Sequence, residues 1–211
     1  MKTIKMLIAA ASLLVCTACN GQKNNAEQAK AEEVPAAKTE AGTKPLVIFF
    51  SHAGENYAVG NIKEGNTKIV ADYIAAFTGA DLFEIKTSKY DSMAYTPLTE
   101  LAKKEQQEGE LPPFEGSVDV GKYDTIFIGG PVWWGTYPQV MFTFFSQYDL
   151  NGKTIIPFTT HEGSGLGRCV EDVRRAYPKA NVTKGFSMYG HEVREGKDEV
   201  EKWLKEVKNE K

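Results

Sequence analysis

The sequence predicts an α/β domain built on a doubly wound, five-stranded parallel sheet with helices on both faces. Apolar runs such as 46–50 are continuous rather than alternating, which is typical of strands covered on both sides. Five such runs alternate along the chain with five segments whose apolar residues recur at helical spacing. This alternation favours parallel strands joined by right-handed crossovers, because each crossover returns the chain beside its own strand.

Length and composition limit the possible functions. The 211 residues suit one domain with an accessory segment, and 42% hydrophobic residues are enough for a sizeable core. The net charge is -3, and acidic residues outnumber basic ones after residue 44. A nucleic-acid-binding protein carries a basic patch, so we expect no nucleic-acid partner.

Residues 1–18 have the pattern of a lipoprotein signal peptide. A basic start precedes the apolar run 6–15, which is too short to span a bilayer because a spanning helix needs about 20 residues. Ala18 before Cys19 resembles the bacterial lipobox, in which the cysteine becomes the lipidated first residue of the mature protein. Cys16 stands where that pattern usually has an aliphatic residue. The alternative is an ordinary cleaved signal peptide with two incidental cysteines.

Residues 19–44 are predicted to form a disordered tether, because Val34 is their only large apolar residue. The folded domain is expected at 45–211. After processing at Cys19, Cys169 is the only thiol of this domain, so no intramolecular disulfide is expected. These features predict an exported lipoprotein, attached to a membrane of the bacterial cell envelope by its N-terminal lipid anchor.

The boundaries of the elements follow from periodicity and from turn residues. We expect the helices at 66–78, 97–108, 138–146 and 166–177, with a last helix around 200–207. We expect the strands at 46–51, 81–85, 125–130, 154–160 and 182–188, the last reading straight through to residue 190.

Ligands of such sheets bind beyond the carboxyl ends of the strands, where the strand order reverses. The loop 51–67 is rich in hydroxyls, amides and glycines and runs into a helix N-terminus, which suits a phosphate. A polar loop with an Asn or Thr helix cap is the alternative. Residues 60–67 also approach the Walker A pattern, but Asn66 stands in place of its lysine, which weakens an NTPase interpretation.

Two further loops have unusual compositions. Trp133 and Trp134 lie in a Gly- and Pro-rich loop where a planar ligand could stack, although packing under the following helix is the alternative. The loop 159–167 is polar and Gly-rich. A nucleophile elbow needs glycines two residues on either side of Ser164, and they are absent, while Arg168 breaks a dinucleotide-binding fingerprint. The three histidines are too scattered for a metal site.

Together these loops resemble the flavodoxin family, and within it the flavodoxin-like proteins with Pro-x-Trp-Trp-Gly and Thr-His-x-Gly-Ser-Gly-x-Gly loops. The matching segments are 131–135 and 160–167, and the resemblance covers 45–208. It implies the sheet order 2-1-3-4-5 with FMN at the reversal of strand order. The phosphate loop departs from the family pattern, because Ala53 lacks a hydroxyl and 55–64 has the look of an insertion.

The resemblance implies specific FMN-binding residues and assigns no catalytic residue. The phosphate would be held by Ser51, Asn56, Asn66 and Thr67 with the backbone amides of His52 and Ala53. The isoalloxazine would lie between two groups, Pro131, Val132, Trp133, Trp134 and Gly135 on one side and Thr160, His161, Gly163, Ser164 and Gly165 on the other. A backbone carbonyl of the 134–135 turn would accept a hydrogen bond from the protonated flavin N5, as expected of a one-electron carrier.

The implied function is electron transfer by a flavoprotein at the cell envelope, with either a redox partner protein or a small-molecule acceptor. An FMN-dependent NAD(P)H:quinone-type oxidoreductase is the alternative, because one fold hosts both activities. A binding or scaffold lipoprotein that has lost its flavin is a third possibility. The two tryptophans argue against it, because without a planar ligand they would expose apolar area to solvent.

Overall fold

The computed structural model describes residues 44–209. The strands are β1 (Leu46–Phe49), β2 (Gly54–Asn56), β3 (Gly60–Ile62), β4 (Asp81–Glu84), β5 (Thr125–Pro131), β6 (Thr154–His161), β7 (Asn181–Val182) and β8 (Phe186–Tyr189). The α-helices are α1 (Asn66–Thr78), α2 (Tyr95–Glu108), α3 (Gln139–Gln147), α4 (Cys169–Ala176) and α5 (Lys197–Asn209). The expected signal peptide, tether and lipid-bearing Cys19 lie outside the described residues.

The main sheet runs in the order β4-β1-β5-β6-β7, and β8 also pairs with β6. Every pairing in it is parallel. With β7 and β8 taken as two parts of one strand, this is the order 2-1-3-4-5, so the predicted fold class is confirmed. β1 lies between β4 and β5, and the strand order reverses beside it.

Two hydrophobic layers cover the faces of the sheet. Successive residues of β1 point to opposite layers, with Ile48 in one and Val47 in the other. One layer contains residues of α2, α3 and α4, and the other contains residues of α1 and α5. Complete burial of such a side chain stabilises the fold by about 1.5–3 kcal/mol, so the covered strands explain the continuous apolar runs in the sequence.

The prediction of an uninterrupted last strand is wrong. β7 and β8 pair with different parts of β6 and are separated by residues 183–185. Gly185 has a φ of +84°, which a strand residue does not adopt, and lies close to the carbonyl of Pro157. The strand is therefore interrupted because the chain turns at Gly185 before it returns to β6.

Other boundaries also differ from the sequence expectations. The fourth helix begins at Cys169 rather than Leu166, since residues 165–168 form turns. The second begins at Tyr95 and includes Pro97, which the first turn of a helix tolerates. The segment 55–64 is ordered as the antiparallel hairpin β2–β3. Within residues 44–209 no helix has the length and hydrophobicity needed to cross a bilayer.

Candidate functional site

A cleft of about 320 Å³ opens at the carboxyl ends of β1, β5 and β6, where the strand order reverses. Its volume lies at the lower end of the range for small-molecule sites. The structure brings eleven of the residues named from the sequence together around it. These are His52, Asn56, Asn66, Thr67, Pro131, Val132, Trp133, Trp134, Thr160, His161 and Ser164.

Five predicted residues lie outside the lining of this cleft: Ser51, Ala53, Gly135, Gly163 and Gly165. Ser51 and Ala53 border a second cavity, of about 620 Å³, towards the end of β4. The hydroxyl of Ser51 accepts a hydrogen bond from the backbone N–H of Lys68 at 3.0 Å, so it fixes the start of α1. The carbonyl of Gly135 accepts from the N–H of Arg168 at 2.8 Å, which ties the β5 loop to the β6 loop.

The N-terminus of α1 faces the cleft, and apart from the bond of Ser51 to the N–H of Lys68 it has no side-chain cap from its own N-cap residue. Its N-cap residue, Gly65, has no side chain to offer, and Asn66 and Thr67 of the first turn line the cleft. The hydroxyls of Thr67 and Thr160 lie 2.7 Å apart in a buried hydrogen bond, which joins α1 to the end of β6. Free N–H groups and the helix dipole favour an anion here.

Two buried polar atoms of cleft-lining residues have no hydrogen-bond partner among the described residues: Oδ1 of Asn66, in the first turn of α1, and Nε2 of His52. Burial lowers the pKa of His52, although the nearby Asp91 opposes this, so the imidazole is neutral near pH 7. An unpaired buried polar atom is costly, which points to a bound group that completes these hydrogen bonds.

Trp133 forms part of the cleft wall and is supported from behind by aromatic rings. Its ring meets those of Phe50 and Tyr90 edge-on, with centroids 5.6 and 5.3 Å away. The hydroxyl of Tyr90 donates to the buried carboxylate of Glu105 at 2.8 Å, and Lys89 Nζ lies 2.7 Å from the same carboxylate. Burial and this hydrogen bond raise the pKa of Tyr90 far above its ordinary value. α2 therefore fixes the tryptophan through one tyrosine.

Trp134 is held in a tight turn at the rim of the cleft. Trp133 and Thr136 exchange two backbone hydrogen bonds, of 2.8 and 3.2 Å, across Trp134 and Gly135. Both central residues have positive φ, +52° and +81°, as in the tight turns of β-hairpins. The indole N–H of Trp134 donates to the carbonyl of Thr99 at 2.9 Å. The ring stays 48% exposed, and left-handed backbone at a bulky residue is a strain often found at functional sites.

Both carbonyls of this turn already accept hydrogen bonds in the structure. The carbonyl of Gly135 receives the N–H of Arg168, and that of Trp134 receives the side-chain amide of Gln106 at 3.3 Å. The expectation that one of them accepts a hydrogen bond from flavin N5–H therefore requires a second donor on the same oxygen, or a rotated peptide. Glycine at 135 permits that rotation.

The far end of the cleft is formed by the loop after β6. Nδ1 of His161 accepts the backbone N–H of Gly163 at 2.9 Å, which assigns the proton of the neutral ring to Nε2. Burial lowers the pKa of His161. The carboxylate of Glu162 binds both the backbone N–H and Nδ1 of His191, at 2.9 and 2.6 Å, and so joins this loop to the segment after β8.

Sequence reasoning missed the side of the cleft formed by the hairpin and α2. The missed residues on this side are Glu55, Tyr57, Tyr95, Leu98, Thr99 and Ala102, and the sequence reasoning also missed Glu162 and Gly190, which follow β6 and β8. The four residues of α2 have the spacing i, i+3, i+4 and i+7, so the amphipathic pattern of this helix is a signal that could have found them. The hairpin residues carry no such signal, because nothing in their sequence pattern predicts where on the domain this insertion packs.

The charge of the cleft is acidic. Of the described residues that line it, none is lysine or arginine, whereas Glu55 and Glu162 are carboxylates. An anion bound here must be held by N–H groups and hydroxyls instead of the side chain of a lysine or arginine.

The fold agrees with comparisons to known proteins. A family model described as Flavodoxin matches residues 44–207. No curated protein sequence matches the chain. A candidate flavoprotein from Bacteroides uniformis is 26% identical with a TM-score of 0.59, and the match covers 78% of this chain and 99% of that one.

Two further solved structures are similar. A candidate flavoprotein from Bacteroides eggerthii is 27% identical with a TM-score of 0.55, over 74% of this chain and 97% of that one. A flavoprotein from Lactobacillus acidophilus, solved in complex with FMN, is 24% identical with a TM-score of 0.54, over 72% of this chain and 97% of that one. The family model spans most of the chain and the sheet has the expected order, so this protein belongs to the flavodoxin family.

Proposed function

We propose that this protein is an FMN-binding flavodoxin that transfers electrons at the bacterial cell envelope. The observation that carries the proposal is the N-terminus of α1, whose N-cap residue Gly65 has no capping side chain and whose first residues, Asn66 and Thr67, line a cleft walled by Trp133 and Trp134. A phosphate suits the first feature and a planar ring suits the second. One ligand that has both is FMN, which a similar flavoprotein from Lactobacillus acidophilus binds.

The residues at the N-terminus of α1 suit a phosphate and the ribityl chain that is attached to it. The backbone amides of Asn66 and Thr67 lie in the first turn of α1, where helical N–H groups have no partner within the helix. The unpaired Nε2 of His52 can donate to an oxygen if it carries the ring proton. The unpaired Oδ1 of Asn66 requires a donor, which the hydroxyls of a ribityl chain supply.

Bound FMN would supply one- and two-electron transfer to this site. The chain itself positions the ring and sets its electrostatic surroundings. Trp133 and Trp134 offer flat apolar surface, and the neutral His161 has an N–H at Nε2 to donate. The carboxylates of Glu55 and Glu162 oppose added negative charge in the cleft, so they favour electron donation at low potential.

The phosphate part of this proposal is tested by comparing FMN with riboflavin, which lacks the phosphate. We expect the full chain to bind FMN at least tenfold more tightly than riboflavin, measured by quenching of flavin fluorescence. Equal affinity for the two would show that the end of α1 does not hold a phosphate. Binding of neither would refute the proposed function.

The envelope location rests on the sequence of the first 44 residues. We propose that Cys19 carries the lipid anchor and that residues 20–44 separate the flavin domain from the membrane. Fractionation of cells that produce the full chain should place it with the membranes, and C19S should release it or block its processing. Identical fractionation and identical size of the two proteins would contradict the anchor.

A further inference from the structure

The side chain of His52 lies at the junction of two cavities. It borders both the cleft of about 320 Å³ and the cavity of about 620 Å³. Only 9% of the residue is exposed, and its Nε2 has no hydrogen-bond partner among residues 44–209. The carbonyl of His52 lies 2.7 Å from the point that a Cβ on Gly65 would occupy. A buried residue with an unused ring nitrogen thus packs against the helix end that suits a phosphate.

Most charged groups around this imidazole are carboxylates. The titratable side chains that line the cleft with it are Glu55, Tyr57, Tyr95, His161 and Glu162. Those that line the second cavity with it are Glu84, Lys86, Tyr90, Asp91 and Glu115. Lys86 is the one lysine or arginine of the described linings, and its ammonium lies 3.6 Å from the carboxylate of Glu84. The surroundings of His52 therefore favour a positive charge on its ring and oppose the entry of an anion.

Two opposing influences act on the charge of His52. Burial lowers its pKa from 6.5, and the carboxylate of Asp91 raises it. Burial has the larger effect, so the ring is neutral near pH 7 in the free protein. A phosphate dianion brings further negative charge into the cleft, and this adds to the effect of Asp91. Binding of FMN therefore shifts the balance towards the charged ring.

We propose that His52 takes up one proton when FMN binds, and that the imidazolium it becomes is the cation that holds the phosphate. The inference rests on the proposed function, since it needs a flavin phosphate at the end of α1. The proton comes from the solvent and is bound at a ring nitrogen, while no bond of the ligand changes. Because the described lining of the cleft contains no lysine or arginine, this histidine supplies the positive charge that the phosphate requires. His52 thereby makes the preference for FMN over riboflavin dependent on pH.

The range from pH 7 to 8.5 isolates this proton. Free FMN is mostly a dianion there, because the second pKa of a phosphate monoester is about 6. The imidazole of His52 in the free chain is neutral there, because burial lowers its pKa. Binding then consumes one proton, so we expect the Kd for FMN to rise about three- to tenfold for each unit by which the pH rises. The Kd for riboflavin, which has no phosphate, should stay constant.

Isothermal titration calorimetry of the full chain with FMN counts the proton directly. Titrations at pH 7.5 in buffers of different ionisation enthalpy should give a binding enthalpy that changes linearly with that enthalpy, at a slope of about 0.5–1 proton taken up per FMN. In H52Q the slope should fall to near zero, and the Kd should be the same at pH 7 and 8.5. H191Q is the matched control, because His191 lies outside the cleft lining, and it should keep the slope of the unchanged protein.

The outcomes separate this inference from the proposed function. FMN binding without proton uptake, or with equal uptake for riboflavin, would overturn the role of His52 and leave the flavodoxin function intact. Uptake that persists in H52Q but is lost in H161Q would assign the proton to the other imidazole of the cleft and overturn the inference as well. The comparison with riboflavin uses the unchanged chain, so it decides the question even if H52Q does not fold. A chain that binds no FMN would refute the proposed function itself.

Discussion

Because the backbone of Trp134 is left-handed, we expect glycine at this position to give a more stable protein than alanine, the reverse of the usual order. W134A and W134G both remove the ring, its hydrogen bond to Thr99 and its contact with Lys103. They differ in the backbone at a φ of +52°. An L-residue in this region costs about 1–2 kcal/mol, which glycine avoids. Glycine loses about 0.5–1 kcal/mol through the greater freedom of its unfolded chain. W134G should therefore be more stable than W134A by about 1 kcal/mol.

Urea unfolding of the two variants, followed by far-UV circular dichroism, measures this difference in the free energy of unfolding. The comparison is valid when the two m-values are equal. Leu111 provides the control pair, since it is also exposed and is not among the described non-glycine residues with positive φ. There L111A should be more stable than L111G by about 0.5–1 kcal/mol. If W134A proves as stable as W134G or more so, the turn is not strained as described.

Two other predictions concern the same cleft. T67V should destabilise the fold by about 1–3 kcal/mol, because it leaves the buried hydroxyl of Thr160 without its hydrogen-bond partner. A double-mutant cycle with T160V, measured by urea unfolding, should show a coupling energy of about 0.5–1.5 kcal/mol. Additive effects of the two substitutions would contradict the hydrogen bond. The pKa values of His52 and His161 are lowered by burial from 6.5, so each contributes stability that is present above pH 6.5 and is lost as the pH falls below it, while the unfolded chain takes up the proton. H52Q should therefore flatten the fall in unfolding free energy between about pH 7 and 5, and an unchanged slope would show that the imidazole is not protected in the folded state.

Much of the fold was predictable because it depends on local patterns and on a few general rules. Continuous apolar runs identified the covered strands, and Gly79, whose φ is +72°, ends α1 where the pattern stops. The interruption at Gly185 was not predictable, because the residues on both sides of it favour a strand. The chain turns there with a φ of +84°, and a side chain at this position would meet the carbonyl of Pro157 on the neighbouring strand, a contact that exists only in the folded sheet.

The site was predictable in part for the same reason. The loops after β1, β5 and β6 meet because the ends of parallel strands meet, and unusual composition marked each of them. The hairpin side of the cleft was missed because its position depends on where the hairpin docks. That docking is set by the contact of Glu55 with the backbone of Tyr95, between residues forty positions apart in the chain. No periodicity in the sequence encodes such a contact.

Titration of the full chain with FMN, followed by absorption between 350 and 500 nm, tests the central claim most directly. We predict one FMN per chain, a flavin spectrum that shifts on binding, and retention of the yellow colour through gel filtration. A chain that leaves the FMN spectrum unchanged and elutes colourless would contradict the account.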